Sequence, residues 1–225
     1  QSANSNKMSL NQHLITYFFD VKSPYAYMGF EILSRLKIKH SSLVVEWKPV
    51  LVPSIFKHLN VPPPLTTLPE KAAYLPHDLR RNFAYLGLET NVPDTDKIVP
   101  YLRAANTAAA NRLLIAVQEQ QPEKLEPLIR ALFDRMWRTH QPMHEDEHLL
   151  EVLSSVEISV YDASKRVELS KTEWLTHEYE ANTKEVIDDK GFGVPWMKVF
   201  RANEEKHESF FGSDRIHLVE AYLQL

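Results

Sequence analysis

Apolar residues crowd together at the two ends of the chain and take on a helical rhythm between them. "HLITYFFD" over 13–20 is β-branched and aromatic, the composition of a buried strand. The next stretch, "SPYAYMGFEILSRLKIK" (23–39), places apolar side chains at 25, 28, 32, 33 and 36, which predicts a helix. "SLVVEWKPV" (42–50) reads as a second strand. Strand, helix and strand in so short a span predict a parallel pair joined by a right-handed crossover.

A proline-rich stretch, "NVPPPLTTLP" (60–69), then breaks the pattern as a linker or domain edge would. Beyond it the β signal disappears. Helices are predicted over 70–87, 96–121, 122–141, 146–157 and 163–191. Pro122 suits a first helical position, and Gly191 suits the residue that stops a helix. Prolines 76, 100 and 127 fit a first turn or mark kinks. Strand character returns at 195–200 and 207–212, and the closing "SDRIHLVEAYLQL" reads as a last helix.

The order is therefore β-α-β, a helical block, then β-β-α. Without the block this is the thioredoxin arrangement. The predicted fold class is α/β: a thioredoxin-like domain from residues 8–63 and 190–225, with an all-helical domain, 64–189, inserted in its middle. Residues 1–7, "QSANSNK", are polar and patternless and are expected to form a tail outside the fold.

Composition narrows the function. A chain of 225 residues, 44% hydrophobic and 25% charged, can bury a sizeable core. Its formal net charge of −4 gives no electrostatic reason to bind nucleic acid or anionic lipid. No apolar run is long enough to cross a bilayer, so membrane insertion is not expected either. Cysteine is absent, which removes disulfides, protein thiolates and Cys-based zinc sites together and fits an intracellular location. The closing "AYLQL" does not match the Ser-Lys-Leu peroxisomal address.

The candidate chemistry lies where the first strand turns into its helix. In thioredoxin-type folds this corner carries a Cys-x-x-Cys motif; here Ser23-Pro24-Tyr25-Ala26 fills the four places, so dithiol cycling is excluded. What remains is a helix N-terminus, whose unpaired N–H groups and positive dipole end favour an anion. Ser23 suits the N-cap and adds a hydroxyl donor, and Pro24 gives up an N–H that was orphaned anyway. The same residues would serve equally as an ordinary helix start. As a site, they suit a thiolate brought by another molecule. A free thiol is only a few per cent ionised at neutral pH. Making it mostly thiolate takes roughly 2.7 kcal/mol, for a shift of about two pH units. A helix N-terminus and one hydrogen bond to the charge supply that in sum.

Two later stretches point the same way. "KGFGVPWMKVF" (190–200) sets Pro195 just before the third strand, where thioredoxin-type folds hold a cis-proline. Val194 would then offer a free backbone N–H and C=O to an extended peptide. In "FFGSDR" (210–215), Gly212 permits a tight turn, Ser213 an N-cap and Asp214 a first-turn acid. The amides there suit a carboxylate, and Asp214 suits an ammonium. Each stretch also reads as plain turn chemistry.

Taken together, "FFDVKSPYAYMGFEIL" (18–33), "WKP" (47–49), "NVPP" (60–63), "LPEK" (68–71), "FGVP" (192–195) and "FFGSDR" (210–215) resemble the kappa-class glutathione transferases, in the DsbA-like branch of the thioredoxin superfamily. The resemblance implies glutathione as co-substrate, a small electrophile as second substrate, no metal, and a homodimer. It implies that Ser23 holds the glutathione sulfur as thiolate, with Pro24 and Tyr25 lining the pocket. Val194 beside Pro195 would pair with the cysteinyl backbone. Ser213 and Asp214 would hold the γ-glutamyl end, Asn60 and Lys71 would reach the glycyl end, and Arg215 would act near an interface. Peroxide reduction, a role in detoxification, and a mitochondrial or peroxisomal compartment are family expectations. Ala26 stands where relatives often carry a second Ser. The alternatives are a glutathione-dependent isomerase of the 2-hydroxychromene-2-carboxylate type and a non-catalytic glutathione- or peptide-binding module.

One further cluster, "HQPMHEDEH" (140–148), spaces His140, His144 and His148 by four. Pro142 interrupts the helix that would align them for a metal, so a solvated helix start is expected. No Gly-x-Ser-x-Gly elbow, phosphate loop or dinucleotide glycine pattern is present.

Overall fold

The structure, a computed structural model, describes residues 11–64 and 67–225. The expected tail over 1–7 and the start of the first domain segment at residue 8 lie outside the described residues. Four strands form one mixed sheet in the order β2-β1-β3-β4. β1 (His13–Phe19) runs parallel to β2 (Leu43–Pro49), in a register that begins at His13↔Leu43 and ends at Phe19↔Pro49. β3 (Trp196–Phe200) pairs antiparallel with β1, and β4 (His207–Phe211) with β3. Helix α1 (Pro24–Lys39) makes the crossover between β1 and β2.

Alternation along the strands sends two sets of side chains to opposite faces. Ile15, Tyr17, Phe19, Val45, Trp47, Met197 and Val199 point into the main core, where they meet Phe30 of α1, Val219 of the last helix and the large helical layer. Phe133 stacks on Tyr27 at a centroid distance of 4.7 Å and packs against both Phe19 and Phe30. The opposite face carries Phe18 and Trp196, covered by Val50, Ile55 and Val186.

Between β2 and β3 the described chain is helical: α2 (Val52–Leu59), α3 (Pro69–Leu86), α4 (Ile98–Ala104), α5 (Ala108–Gln120), α6 (Leu125–Asp134), α7 (Asp146–Ser155), α8 (Val160–Ser170) and α9 (Glu173–Asp188). A final α10 (Ile216–Leu223) follows β4 through a single turn of 3-10 helix, Ser213–Arg215.

Several predicted boundaries are corrected. Helix α2 was not expected; it starts directly behind β2 with Pro53 in its first turn and ends at Asn60 in the left-handed region. The helix expected over 96–121 is two. It breaks at Ala105, where Asn106 Oδ1 accepts from the Ala108 N–H and Thr107 turns its hydroxyl to Asp20. The helix expected over 163–191 is also two, because Thr172 caps α9 by accepting from the Leu175 N–H. Pro122 opens a short 3-10 turn that leads into α6, and α6 runs on as a π-helical turn, Arg135–Thr139.

Lys190, not Gly191, takes the left-handed position after α9, with φ 64°. Lys190 N–H donates to Ile187 C=O and Gly191 N–H to Val186 C=O, the bond pair of a Schellman ending. Glycine is needed at 191 for space, since a Cβ there would collide with Val186 and Trp196.

The His140, His144, His148 group divides: the His144 and His148 rings lie 5.4 Å apart at the start of α7, while His140 belongs to a different turn. His140 closes the π-helical turn in the left-handed region, and His148 Nδ1 accepts from the Glu145 N–H as part of the α7 cap.

Candidate active site

Ser23 is the N-cap of α1. Its backbone is extended (φ −82°, ψ 118°), Pro24 occupies the first helical turn, and the hydroxyl oxygen accepts from Ala26 N–H at 3.2 Å. The cap uses the oxygen as acceptor, so the hydroxyl proton stays available to donate. Among the described residues the Tyr25 N–H also has no acceptor. One N–H and one O–H therefore face outward from the positive end of a sixteen-residue helix.

The sheet brings a second segment to this corner. Phe18 pairs with Trp196, so Pro195 and Val194 lie level with the end of β1. The Val194–Pro195 peptide is cis. Among the described residues neither the N–H nor the C=O of Val194 takes a hydrogen bond, so both can pair with an extended ligand.

A third segment follows from β4. Gly212 N–H donates to Pro195 C=O at 2.9 Å, and the Ser213–Arg215 turn that follows packs against α1. Gly212 has φ 89° and ψ 150°, a region open essentially to glycine alone. Ser213 is buried; Asp214 and Arg215 are exposed and form an ion pair with each other. Ser23, Pro24, Tyr25, Val194, Pro195, Ser213 and Asp214 thus meet at one end of the sheet.

Tyr25 is fastened across the site, its hydroxyl donating to Asp78 Oδ2 of α3 at 2.7 Å. Burial pushes the phenol pKa far up, and the Asp78 bond, with the nearby Asp78, Tyr74 and Asp214 groups, pushes the same way. Tyr25 therefore stays protonated. The packing of the Ser213–Arg215 turn on α1 joins the third segment to the first.

Asn60 and Lys71 are placed less closely. Both are exposed, and no hydrogen bond ties either to the other candidate residues. Lys71 stands seven residues before Asp78 on α3, hence on the same helix face and about 10 Å along the axis. Asn60 is the left-handed C-cap of α2.

Three carboxylates escaped the sequence reading. Asp20 is buried beneath the corner, where Oδ1 accepts from Thr107 Oγ1 (2.7 Å), Asn111 Nδ2 (3.0 Å) and the Lys22 N–H (3.0 Å). Asn111 also binds Tyr179, whose hydroxyl donates to Val50 C=O. This chain of bonds ties α5 and α9 to the turn before Ser23. Asp78 had one signal, its i+7 relation to Lys71. Asp189, which binds Trp196, His207 and Ser209, had none.

Comparison with known proteins places this geometry. The model of the DSBA-like thioredoxin domain matches residues 14–224. A curated relative, glutathione S-transferase kappa 1 of Caenorhabditis elegans, is 30% identical over 93% of this chain and 90% of its own. The chain belongs to the kappa-class glutathione transferase family. The human glutathione S-transferase kappa 1 is 29% identical over 91% of this chain and 88% of its own. Among solved structures, 2-hydroxychromene-2-carboxylate isomerase superposes with a TM-score of 0.75 over 94% of each chain at 20% identity, a likeness of fold. The DSBA-like match spans both strand-bearing ends and the helices between them, so every candidate site residue falls inside it.

Proposed function

We propose that the chain is a glutathione transferase that binds glutathione as a thiolate at the N-terminus of α1 and transfers it to small electrophiles. The observation that carries this reading is Ser23. Its oxygen caps the helix at 3.2 Å from Ala26 N, which leaves its proton for an external anion, in a chain without cysteine. The names of the kappa relatives support glutathione as the thiol.

In this reading Ser23 O–H and Tyr25 N–H donate to the sulfur, and the helix end favours its charge. Val194 pairs with the cysteinyl backbone, Asp214 takes the γ-glutamyl ammonium and the Ser213 amide its carboxylate. Lys71, on the α3 face that carries Asp78, serves the glycyl carboxylate, with Asn60 beside it. The thiolate attacks the electrophilic carbon, a carbon–sulfur bond forms and the leaving group departs with its electron pair. The thiol proton is lost to solvent on binding, and the serine hydroxyl donates to the thiolate sulfur while keeping its own proton throughout.

The test is a titration of the ultraviolet absorbance of glutathione thiolate on the protein. The native chain should lower the bound-thiol pKa by about two units, and Ser23→Ala should return about one of them, the effect of one hydrogen bond to a charge. An unshifted pKa on the native chain ends the proposal. Turnover with an aryl halide should release halide; isomerisation with no net loss of glutathione would replace transfer as the reaction.

A further inference from the structure

The loop of residues 190–195 presents the Val194 edge, and its middle is held by packing, with Val194 on the Phe18–Trp196 cluster and Gly193 buried close to Phe211. Gly191 N–H bonds back to Val186 C=O, and Gly212 N–H reaches Pro195 C=O; between them, Phe192 to Val194 take no hydrogen bond among the described residues. Phe192 is half exposed and touches the rings of Trp196 and Phe211. The only backbone hydrogen bonds that fix the loop, among the described residues, are therefore at its two ends.

Asp189 stands immediately before this loop, and its carboxylate closes it. Oδ2 accepts from the indole Nε1–H of Trp196, the first residue beyond the loop, at 2.7 Å. The same oxygen accepts from Ser209 Oγ at 2.6 Å, and Oδ1 lies 2.7 Å from His207 Nε2. Ser209 and His207 belong to β4, which among the described residues pairs only with β3 and whose far end leads through Gly212 to Ser213 and Asp214. One mostly buried carboxylate thus holds the loop that carries Val194 and the edge strand that carries the Ser213–Asp214 turn.

A carboxylate suits the position because it accepts from several donors and requires none in return. Removing it leaves the buried Trp196 N–H without a partner and lets the loop and the strand relax independently.

The geometry points to Asp189 as a positioning residue that aligns the Val194 edge with the Ser213–Asp214 turn, so that both grip the peptide part of the ligand at once. The inference rests on the glutathione reading above. It separates two functions along the sheet end: Ser23 on α1 governs the sulfur, while Asp189 governs the peptide backbone and its amino-acid end.

The experiment compares Asp189→Ala, Asp189→Asn and Trp196→Phe with the native chain. Asp189→Ala removes all three bonds of the carboxylate and should raise the KM for glutathione about tenfold, with kcat at saturation within about twofold. The bound-thiol pKa should not move. Trp196→Phe, which removes the N–H together with part of the buried indole ring, should raise KM in the same direction by a few fold. Asp189→Asn keeps an oxygen for Trp196 and Ser209 and can donate to a neutral His207 ring, so it should restore KM to within about threefold.

Amide hydrogen exchange, read without ligand, should speed up in Asp189→Ala over 190–195 and 207–212 while α1 is unchanged. An unchanged KM, a kcat that falls or a bound-thiol pKa that rises together with the loss of affinity, or unaltered exchange in those two segments overturns the inference. A native chain that binds no glutathione overturns the functional reading instead, and the exchange measurement still decides whether Asp189 holds the two segments together.

Discussion

Tyr17 of β1 runs directly beneath Gly29 of α1, and its hydroxyl donates to Ala26 C=O at 2.9 Å. The ring is fully buried, and a Cβ on Gly29 would collide with its hydroxyl and ring edge. The close approach seats the first turns of α1, and Ser23 with them, against the strand. Gly29→Ala should therefore lower the unfolding free energy by about 2 kcal/mol through overpacking, read from urea midpoints. Combining it with Tyr17→Phe, which removes the colliding oxygen, should cost less than the two single changes summed. Additive costs would mean that the hydroxyl is not what Gly29 accommodates.

Gly212 and Asp214 form the second tight relationship. Besides the φ of 89°, a Cβ at Gly212 would stand 2.5 Å from Asp214 Oδ1. Gly212→Ala should strain the turn by about 2 kcal/mol and push the Asp214 carboxylate aside. If Asp214 holds the γ-glutamyl end, the KM for glutathione should rise about tenfold while the bound-thiol pKa stays where it is in the native chain. A variant with native KM would remove Asp214 from the site.

What could be read from the sequence was local. The strand 13–20 and the cap at Ser23 were legible because burial composition and N-cap chemistry act between near neighbours. The Val194–Pro195 bend was legible from its place just before the third strand of a thioredoxin-type order, its own residues reading equally as a plain turn. The break at Ala105 was not, since Thr107 leaves the helical pattern to reach Asp20, 87 positions away in sequence. Tyr25 finds Asp78 across 53 positions, and Asp189 gathers donors from two later strands. Lys190 took the left-handed place expected of Gly191 because glycine was needed one residue on, where Val186 and Trp196 leave no room for a side chain.

The network beneath the corner gives a third prediction. Asp20 and Asn111 are almost wholly buried, and Thr107 Oγ1 supplies the shortest of the bonds to the carboxylate, at 2.7 Å. Thr107→Val keeps the shape and deletes that donor, leaving a buried charge with fewer partners. The expected loss is about 2 kcal/mol in urea unfolding. A loss below about 0.5 kcal/mol would mean that Asn111 and the Lys22 N–H satisfy the carboxylate by themselves.

Acid should act through the opposite face of the sheet. Glu185 of α9 bridges Lys48 at 2.7 Å and Lys198 at 2.9 Å. Burial pushes its carboxyl pKa up, but the hydrogen bonds and charges of the two lysines outweigh this and hold it below the ordinary carboxylate value. Asp189 shows the same balance: burial raises it, and the bonds from Ser209, His207 and Trp196 bring it below. A carboxyl whose folded pKa is depressed stabilises the protein fully above its unfolded pKa and loses that contribution as the pH falls through the folded value. The native chain should therefore lose stability from about pH 4.5 downward, the ordinary range of a free Glu side chain. Glu185→Gln should be less stable than the native chain at neutral pH, and the gap should narrow as the native carboxyl takes up its proton. Urea midpoints measured across the acid range decide it, for a gap that stays constant at every pH would show that the two lysines do not stabilise the ionised form of Glu185.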